Sequence, residues 1–406
     1  MSTQTTNMKK IFIIGGTGAQ GLPIVQALTQ SGTYSVRILT RDPSSPRAQS
    51  LLSSASSPEL VELFPGSFTS ESDVRAGMAN CWGAFVNIDG FATGEALEIF
   101  YTMRCYELAI EQGLEMYIHG NIDFGYKVSG YQSQFRCGHY DGKGRAGEWI
   151  LMSNEAAKTE SQRMKAALFT TGPYIDMALS PMTPLAPMIE KDDETGEEVV
   201  TWRLPLTENG AMPHVVLDDC GHYVKWLFDH HSEDRVDGMD LRVAMGHVRY
   251  DDMAAAFAKV TGHKARFVDV SEEEYWSPNG YWGSIASQPC GYMHAHAGAG
   301  EGNIPDGVMT IKQNFTGWWR TYQNCGEPSS RDAVAKHIGL KRDYALLDEI
   351  HPGRIRTPEE FFRREDEKAR TEGRGSLWNV VVNEPRHVLK IHEDQSIFRS
   401  MKKDDA

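Results

Sequence analysis

Residues 9–23 read Lys-Lys-Ile-Phe-Ile-Ile-Gly-Gly-Thr-Gly-Ala-Gln-Gly-Leu-Pro. Residues 9–14 read as a buried strand, apolar throughout 11–14. Glycines follow at positions 15, 18 and 21, each with a mechanical use. Gly15 makes the tight turn out of the strand, Gly18 lets the backbone approach a pyrophosphate, and Gly21 lets helix and strand pack closely. Pro23 then starts a helix with Ile24, Val25 and Leu28 on one face, and Gly32 ends it. Such a helix start presents free N–H groups and a positive dipole end to phosphate. A glycine cluster alone also occurs in turns that bind nothing. Its place between a strand and a helix makes a dinucleotide site the expectation.

Outward from this unit the pattern repeats. Strands are expected at 34–40, 60–64, 84–89, 116–119 and 166–171. Helices are expected at 70–78, 95–113 and 144–153, with a short one inside the Ser-rich segment 44–57. Strand–helix alternation with short connections predicts a parallel sheet covered on both faces, an α/β doubly wound Rossmann sheet. The second strand ends in Leu39-Thr40-Arg41. NAD-selective sites place an acid there, whereas a guanidinium suits a 2′-phosphate. Asp42 follows immediately, so NADP(H) is favoured over NAD(H) without the case being closed.

After residue 180 the character changes. A hairpin is expected from 189–190 and 199–204 around a turn at 192–196. Asp218 reads as the N-cap of a helix to Leu227, and Asp251 or Asp252 starts another that runs to Val260 before Gly262. Residues 276–307 are rich in Gly, Trp, Tyr and His without periodicity, as in a lid or pocket wall. Thr357-Pro358-Glu359-Glu360 is a capping box, and the charged run 359–374 reads as a solvated helix face. The expected division is a Rossmann domain at 1–176, a smaller α/β substrate or lid lobe at 177–330, and a helical C-terminal extension at 331–406.

The 406 residues carry a net charge of −14. An acidic surface repels phosphate backbones, which argues against direct nucleic-acid binding. No secretory leader is recognisable, and no stretch approaches the ~20 apolar residues that cross a bilayer. A cytoplasmic protein with no membrane partner is expected, with the nucleus open for a regulator. Six cysteines without CxxC spacing suggest free thiols in a reducing compartment, with Cys137 a candidate for redox sensitivity. His294 and His296 form an HxH that lacks a third ligand, so no metal is expected; they are candidates to line a pocket. Tyr275, Trp276, Tyr281, Trp282 and Tyr292 are candidates to stack on a substrate or to form core, and Trp318-Trp319 reads as packing.

GGTGAQG at 15–21 with LTRDP at 39–43 resembles the NmrA-like family of the atypical short-chain dehydrogenase/reductase superfamily. Three later stretches are similar to it: His139 through Arg145 with Glu148-Trp149-Ile150, Gly172 through Asp176, and Val216 through Gly221. The resemblance implies that Gly15, Thr17, Gly18, Ala19, Gln20 and Gly21 hold the pyrophosphate and Arg41 the 2′-phosphate. It places Gly66 and Ser67 near the adenine, although the family commonly has an acid where Ser67 stands. Asn87 and Ile88 would pass the nicotinamide ribose, and Tyr174 and Ile175 would border the nicotinamide.

The superfamily's usual chemistry uses a Tyr, a Lys four residues later and a Ser. Here Lys143 follows Tyr140 by three, and His119-Gly120-Asn121 stands where the Ser is expected. Lys143 is the candidate general acid/base or cofactor-gripping group, as resemblance to the plant ether-reductase branch suggests, with Tyr140 as its companion. Two functions are expected: an NADPH-dependent reductase of a hydrophobic small molecule, or a non-catalytic redox sensor acting on transcription through a protein partner. A homo-oligomer stays open.

Overall fold

The computed structural model describes residues 8–54, 57–157, 163–278, 280, 282–290, 308–326 and 337–390. Among these, twelve strands occur: β1 (Lys9–Ile14), β2 (Tyr34–Thr40), β3 (Val61–Pro65), β4 (Gly83–Val86), β5 (Met116–Ile122), β6 (Lys165–Thr171), β7 (Met188–Lys191), β8 (Glu198–Leu204), β9 (Met212–His214), β10 (Asp240–Arg242), β11 (Gly246–Val248) and β12 (Ala265–Asp269). Seven form one parallel sheet in the order β10-β6-β5-β4-β1-β2-β3. The chain therefore leaves β1 in one direction and returns on its other side at β4, the doubly wound arrangement.

The period of two along β1 shows why both faces are covered. Ile11 and Ile13 pack with Ile24, Leu28, Val36 and Phe85 on one face. Phe12 and Ile14 pack with Val74, Met78, Val86 and Tyr117 on the other. A strand buried on both sides must be apolar throughout, as 11–14 is.

After β6 the chain builds the smaller lobe from the mixed β12-β8-β7 sheet and the β11-β9 pair. It also returns to the large sheet: β10 pairs with β6, and the helix Leu217–Asp229 lies on the helix Gly21–Gln30. Gly221 permits that contact, because a Cβ there would fall 2.3 Å from the Pro23 carbonyl oxygen. Trp202, at the heart of the smaller lobe, donates its indole N–H to the Ala178 carbonyl at 3.0 Å. The helix Pro358–Thr371 carries the expected capping box and packs Phe362 edge-on against Phe257, with ring centroids 5.3 Å apart.

Several boundaries differ from expectation. The helix expected at 144–153 spans Gly138–Ala156. Its glycines suggest a loop, but they serve close packing: a Cβ on Gly144 would lie 2.5 Å from the Phe124 ring. The helix after β1, Gly21–Gln30, begins at Gly21 rather than Pro23. β4 stops at Val86, so residues 87–89 leave the sheet, whereas β5 continues to Ile122 because its pairing with β6 persists to Ile122–Thr171. Asp218 lies inside the first turn of its helix and Val216 is the N-cap. Within 276–307, Trp276, Trp282 and Ile285 join the smaller lobe's core. His294, His296, Tyr281 and Tyr292 lie outside the described residues. No helix among the described residues is long and apolar enough to cross a membrane.

One buried ion pair ties the C-terminal region to the sheet. Arg342 reaches Asp123, just beyond β5, with two nitrogens at 2.9 and 2.7 Å, and the side chains are 0% and 1% exposed. Removing one partner strands the other's charge. Asp123→Ala is expected to lower unfolding free energy by about 3–5 kcal/mol, and the apolar double variant Asp123→Leu/Arg342→Met by much less, read from denaturant midpoints.

Candidate functional site

The turn after β1 is held by close backbone approach. Gly15 has φ +87°, and a Cβ there would sit 2.4 Å from the Asn87 carbonyl oxygen. A Cβ on Gly21 would sit 2.2 Å from the Gly15 carbonyl oxygen, so helix and turn could not touch. The Gly18 amide donates to the Gly15 carbonyl at 3.0 Å. No side chain caps the helix and no acid lies in its first turn, so its positive end faces the cleft unopposed. Gln20 accepts a 2.7 Å hydrogen bond from the Asn87 amide, fixing the two loops to each other. The result has the shape and polarity that a diphosphate requires.

A cleft of about 330 Å³ opens over this turn. At its β2–β3 side lie Arg41, Gly66 and Ser67. Gly15, Thr17, Gly18, Ala19 and Gln20 form the floor, followed by Asn87, Ile88, Lys143 and Tyr174. Phe91, His139, Tyr140, Trp282, Phe315 and Trp318 wall the far end. Of the residues expected at the site, Gly21 and Ile175 do not line the cleft. Gly21 packs against the turn, and Ile175 is buried in the smaller lobe's core. The Asp42 carboxylate accepts from the Ser44 amide at 2.8 Å and from its hydroxyl at 2.6 Å, both at Oδ1.

Lys143 stands in the second turn of its helix, not at its start. Its ammonium donates to the Ile88 carbonyl and pairs with Glu98 at 2.6 Å, where Lys143 is 13% exposed and Glu98 0%. Two glycines make room for that carboxylate: a Cβ would come 1.7 Å from Glu98 Oε2 on Gly90 and 2.9 Å on Gly142. Burial pushes the Glu98 carboxyl up to about 7 against the pull of Lys143. Sequence reading missed Glu98. The available signal is an acid on the apolar stripe of its helix, in line with the buried Thr102, Cys105 and Ala109.

Tyr140 is buried, and its hydroxyl lies 2.9 Å from that of Tyr322; burial holds its pKa well above the ordinary value. His139, one turn before Lys143, was not singled out by sequence. Its Nδ1 lies 2.8 Å from the Asn314 amide nitrogen, and burial pushes it down to about 4, so it is neutral near pH 7. His119, the first of the three residues that stand where a Ser is expected, is fully buried and pushed down to about 3.

Trp318 lines the cleft rather than only packing, whereas Trp319 is core; Tyr275 and Trp276 also belong to the core. Cys137 is buried, and burial raises its thiol well above the ordinary value, which removes the thiolate that redox sensitivity needs. Among the described residues, no three His, Cys, Asp or Glu side chains converge as metal ligands would.

Residues 7–290 match the NmrA-like family. An NmrA-like family domain-containing oxidoreductase, himF of Aspergillus japonicus, is 30% identical over 282 residues, covering 65% of this chain and 76% of that protein. The solved structure of NmrA, a negative transcriptional regulator, in complex with NADP is similar in fold with a TM-score of 0.56 at 15% identity, covering 91% of this chain and 99% of that one. An NADPH-dependent quinone oxidoreductase from Escherichia coli is similar with a TM-score of 0.54 at 14% identity, covering 86% and 98%. On the sequence match and the doubly wound sheet together, the chain belongs to the NmrA-like family.

Proposed function

We propose that the cleft binds NADP(H) and that the chain is an NADPH-dependent reductase of a hydrophobic small molecule. The observation that carries this is continuity. One cleft runs from a phosphate-shaped turn past Lys143 to an aromatic-walled end. The oxidoreductase name of the Aspergillus relative and the NADPH dependence named for the quinone reductase support the reading.

In this reading Gly15, Thr17, Gly18, Ala19 and Gln20 hold the diphosphate, with Gly21 letting the helix approach, and Arg41 meets the 2′-phosphate. Ser67 lies by the adenine, Asn87 and Ile88 by the nicotinamide ribose, and Tyr174 by the ring, with Ile175 behind it. A reduced nicotinamide, when bound, supplies hydride. The ammonium of Lys143 is aimed by Glu98 and the Ile88 carbonyl, which take two of its three N–H donors; the third faces the cleft and delivers the proton. Tyr140 shapes the pocket rather than transferring protons, because its hydroxyl is committed to Tyr322. Phe91, Phe315, Trp282 and Trp318 exclude water and favour a flat apolar substrate.

A dinucleotide-binding regulator is the second reading. It is favoured by the buried His119-Gly120-Asn121, which stands where the reductases' Ser is expected. NADPH oxidation with a panel of lipophilic carbonyls, alkenes and imines separates the two. The reductase reading expects turnover with one class, and a fall in kcat of about 100-fold or more in Lys143→Met, with NADPH affinity changed much less. Tight NADPH binding with no turnover across the panel would favour the regulator.

The pair also sets a pH dependence. Glu98 ionises as pH rises through about 7, completing the pairing that aims Lys143. Activity is expected to rise across that range in wild type and to lose this limb in Glu98→Gln. For stability the sign is the reverse. Between the ordinary value of 4.5 and about 7 the folded state holds a proton on Glu98 that the unfolded chain has released, so stability falls with rising pH. Tm measured over that window should fall less steeply in Glu98→Gln. Some slope should remain from Asp141 and Asp176, whose carboxyls burial also pushes up to about 7.

A further inference from the structure

The chain returns to the cleft at its C-terminal end. The helix Leu377–Val382 buries Leu377 and Val381 in the smaller lobe's core. The next segment then crosses the mouth of the cleft and is fastened on both sides. The Val388 amide donates to Ser180 Oγ at 3.1 Å, and the Val388 carbonyl accepts from the Arg47 guanidinium at 3.3 Å. Ser180 belongs to the stretch after β6, and Arg47 to the helix Pro46–Ser54 after β2. Leu389 packs against the smaller lobe's core and lines the cleft together with Lys390.

Lys390 ends beside the glycine turn, its ammonium 3.3 Å from Thr17 Oγ1. Its charge also reaches the Asp42 carboxylate. Thr17, on the diphosphate turn, and Arg41 flank the path from the diphosphate to the adenosine ribose, whose 2′ position a Rossmann cleft reads at the end of its second strand. NADP(H) differs from NAD(H) at that position by one phosphate carrying close to two negative charges, for which charge-assisted hydrogen bonds from cations are the strong contacts. Arg41 enters this corner from β2, and Lys390 enters it from a segment more than three hundred residues later.

We propose that Lys390 completes the 2′-phosphate site. The segment 386–390 acts as a strap across the adenosine end of the cleft, and Lys390 joins Arg41 in selecting 2′-phosphorylated dinucleotides. The proposal rests on reading the cleft as a dinucleotide site. It gives the C-terminal extension a part in ligand selection.

The test is calorimetric titration of the full chain with NADP⁺, NAD⁺, 2′,5′-ADP and 5′-AMP, using wild type, Lys390→Ala, Lys390→Glu and Arg41→Ala. Lys390→Ala is expected to weaken NADP⁺ and 2′,5′-ADP by about tenfold, with Lys390→Glu weakening them further, and to leave NAD⁺ and 5′-AMP within about twofold. Equal losses for phosphorylated and unphosphorylated ligands, or no loss in either Lys390 variant, would overturn the assignment while leaving the cleft's reading intact. A wild type that binds none of the four ligands would overturn the dinucleotide reading and the strap with it. Wild-type preference for NAD⁺ would refute the 2′-phosphate site alone.

Discussion

The carbonyl oxygen of Asn87 occupies the space that a side chain at residue 15 would need. That single backbone approach links the two halves of the doubly wound sheet. β1 and β4 run side by side in register, Ile14 beside Val86, so the turns that follow them emerge together. The strand order reverses between them, and a crevice opens where neighbouring connections diverge. One wall is the glycine turn; the other is 87–89, against which Lys143 is hung through the Ile88 carbonyl. The Gln20–Asn87 hydrogen bond then locks the walls at a fixed separation. The shape of the glycine turn and the position of the lysine are thus two consequences of one steric fact.

Much of this half was legible in the sequence because it is local. The strand 9–14, the turn and the helix are dictated by consecutive residues, and β2 was placed with its observed bounds. Boundaries failed where tertiary contact overrode a local cue. Gly138, Gly142 and Gly144 suggest a loop by propensity, yet they belong to a nineteen-residue helix because Glu98, Glu95 and Phe124 press against them. Glycine in a helix costs about 1 kcal/mol relative to alanine, which close packing here offsets. The partners were not visible from position 142 alone. Phe315 and Trp318 reach the cleft from a helix whose own pattern is an ordinary amphipathic one.

The Glu98–Lys143 pair shows why this lysine is more than a surface charge. A carboxylate with no solvent exposure carries a large desolvation penalty, which an adjacent ammonium and hydrogen bonding only partly offset. Replacing both residues with apolar groups would be an easier way to fill the space. The pair instead holds an ammonium at a cleft wall with little freedom to swing, as the proposed proton delivery at a fixed position requires. The contrast with Tyr140 is instructive. It lies in the same helix and the same cleft, but its hydroxyl is turned to Tyr322. The tyrosine–lysine partnership of the wider superfamily does not form, because the Tyr140 hydroxyl is engaged with Tyr322 and the Lys143 ammonium with Glu98 and the Ile88 carbonyl.

A cleft between two lobes keeps its shape only if the lobes are braced, and the brace lies far along the chain. Arg342 joins Asp123 beyond β5 and also donates to the Val243 carbonyl after β10. Arg354 donates to the Met245 carbonyl at 2.8 Å, and His222 lies 2.9 Å from the Ile350 carbonyl oxygen. These contacts run from one C-terminal stretch to both the sheet edge and the helix Leu217–Asp229. Each is a buried or half-buried polar group satisfied by a backbone carbonyl or an acid, the type of contact that fixes one geometry because misplacement leaves a donor unpaired. An acid and an arginine 219 positions apart, each unremarkable in sequence, therefore tie the C-terminal stretch to the sheet whose glycine turn announces itself within the first twenty-one residues.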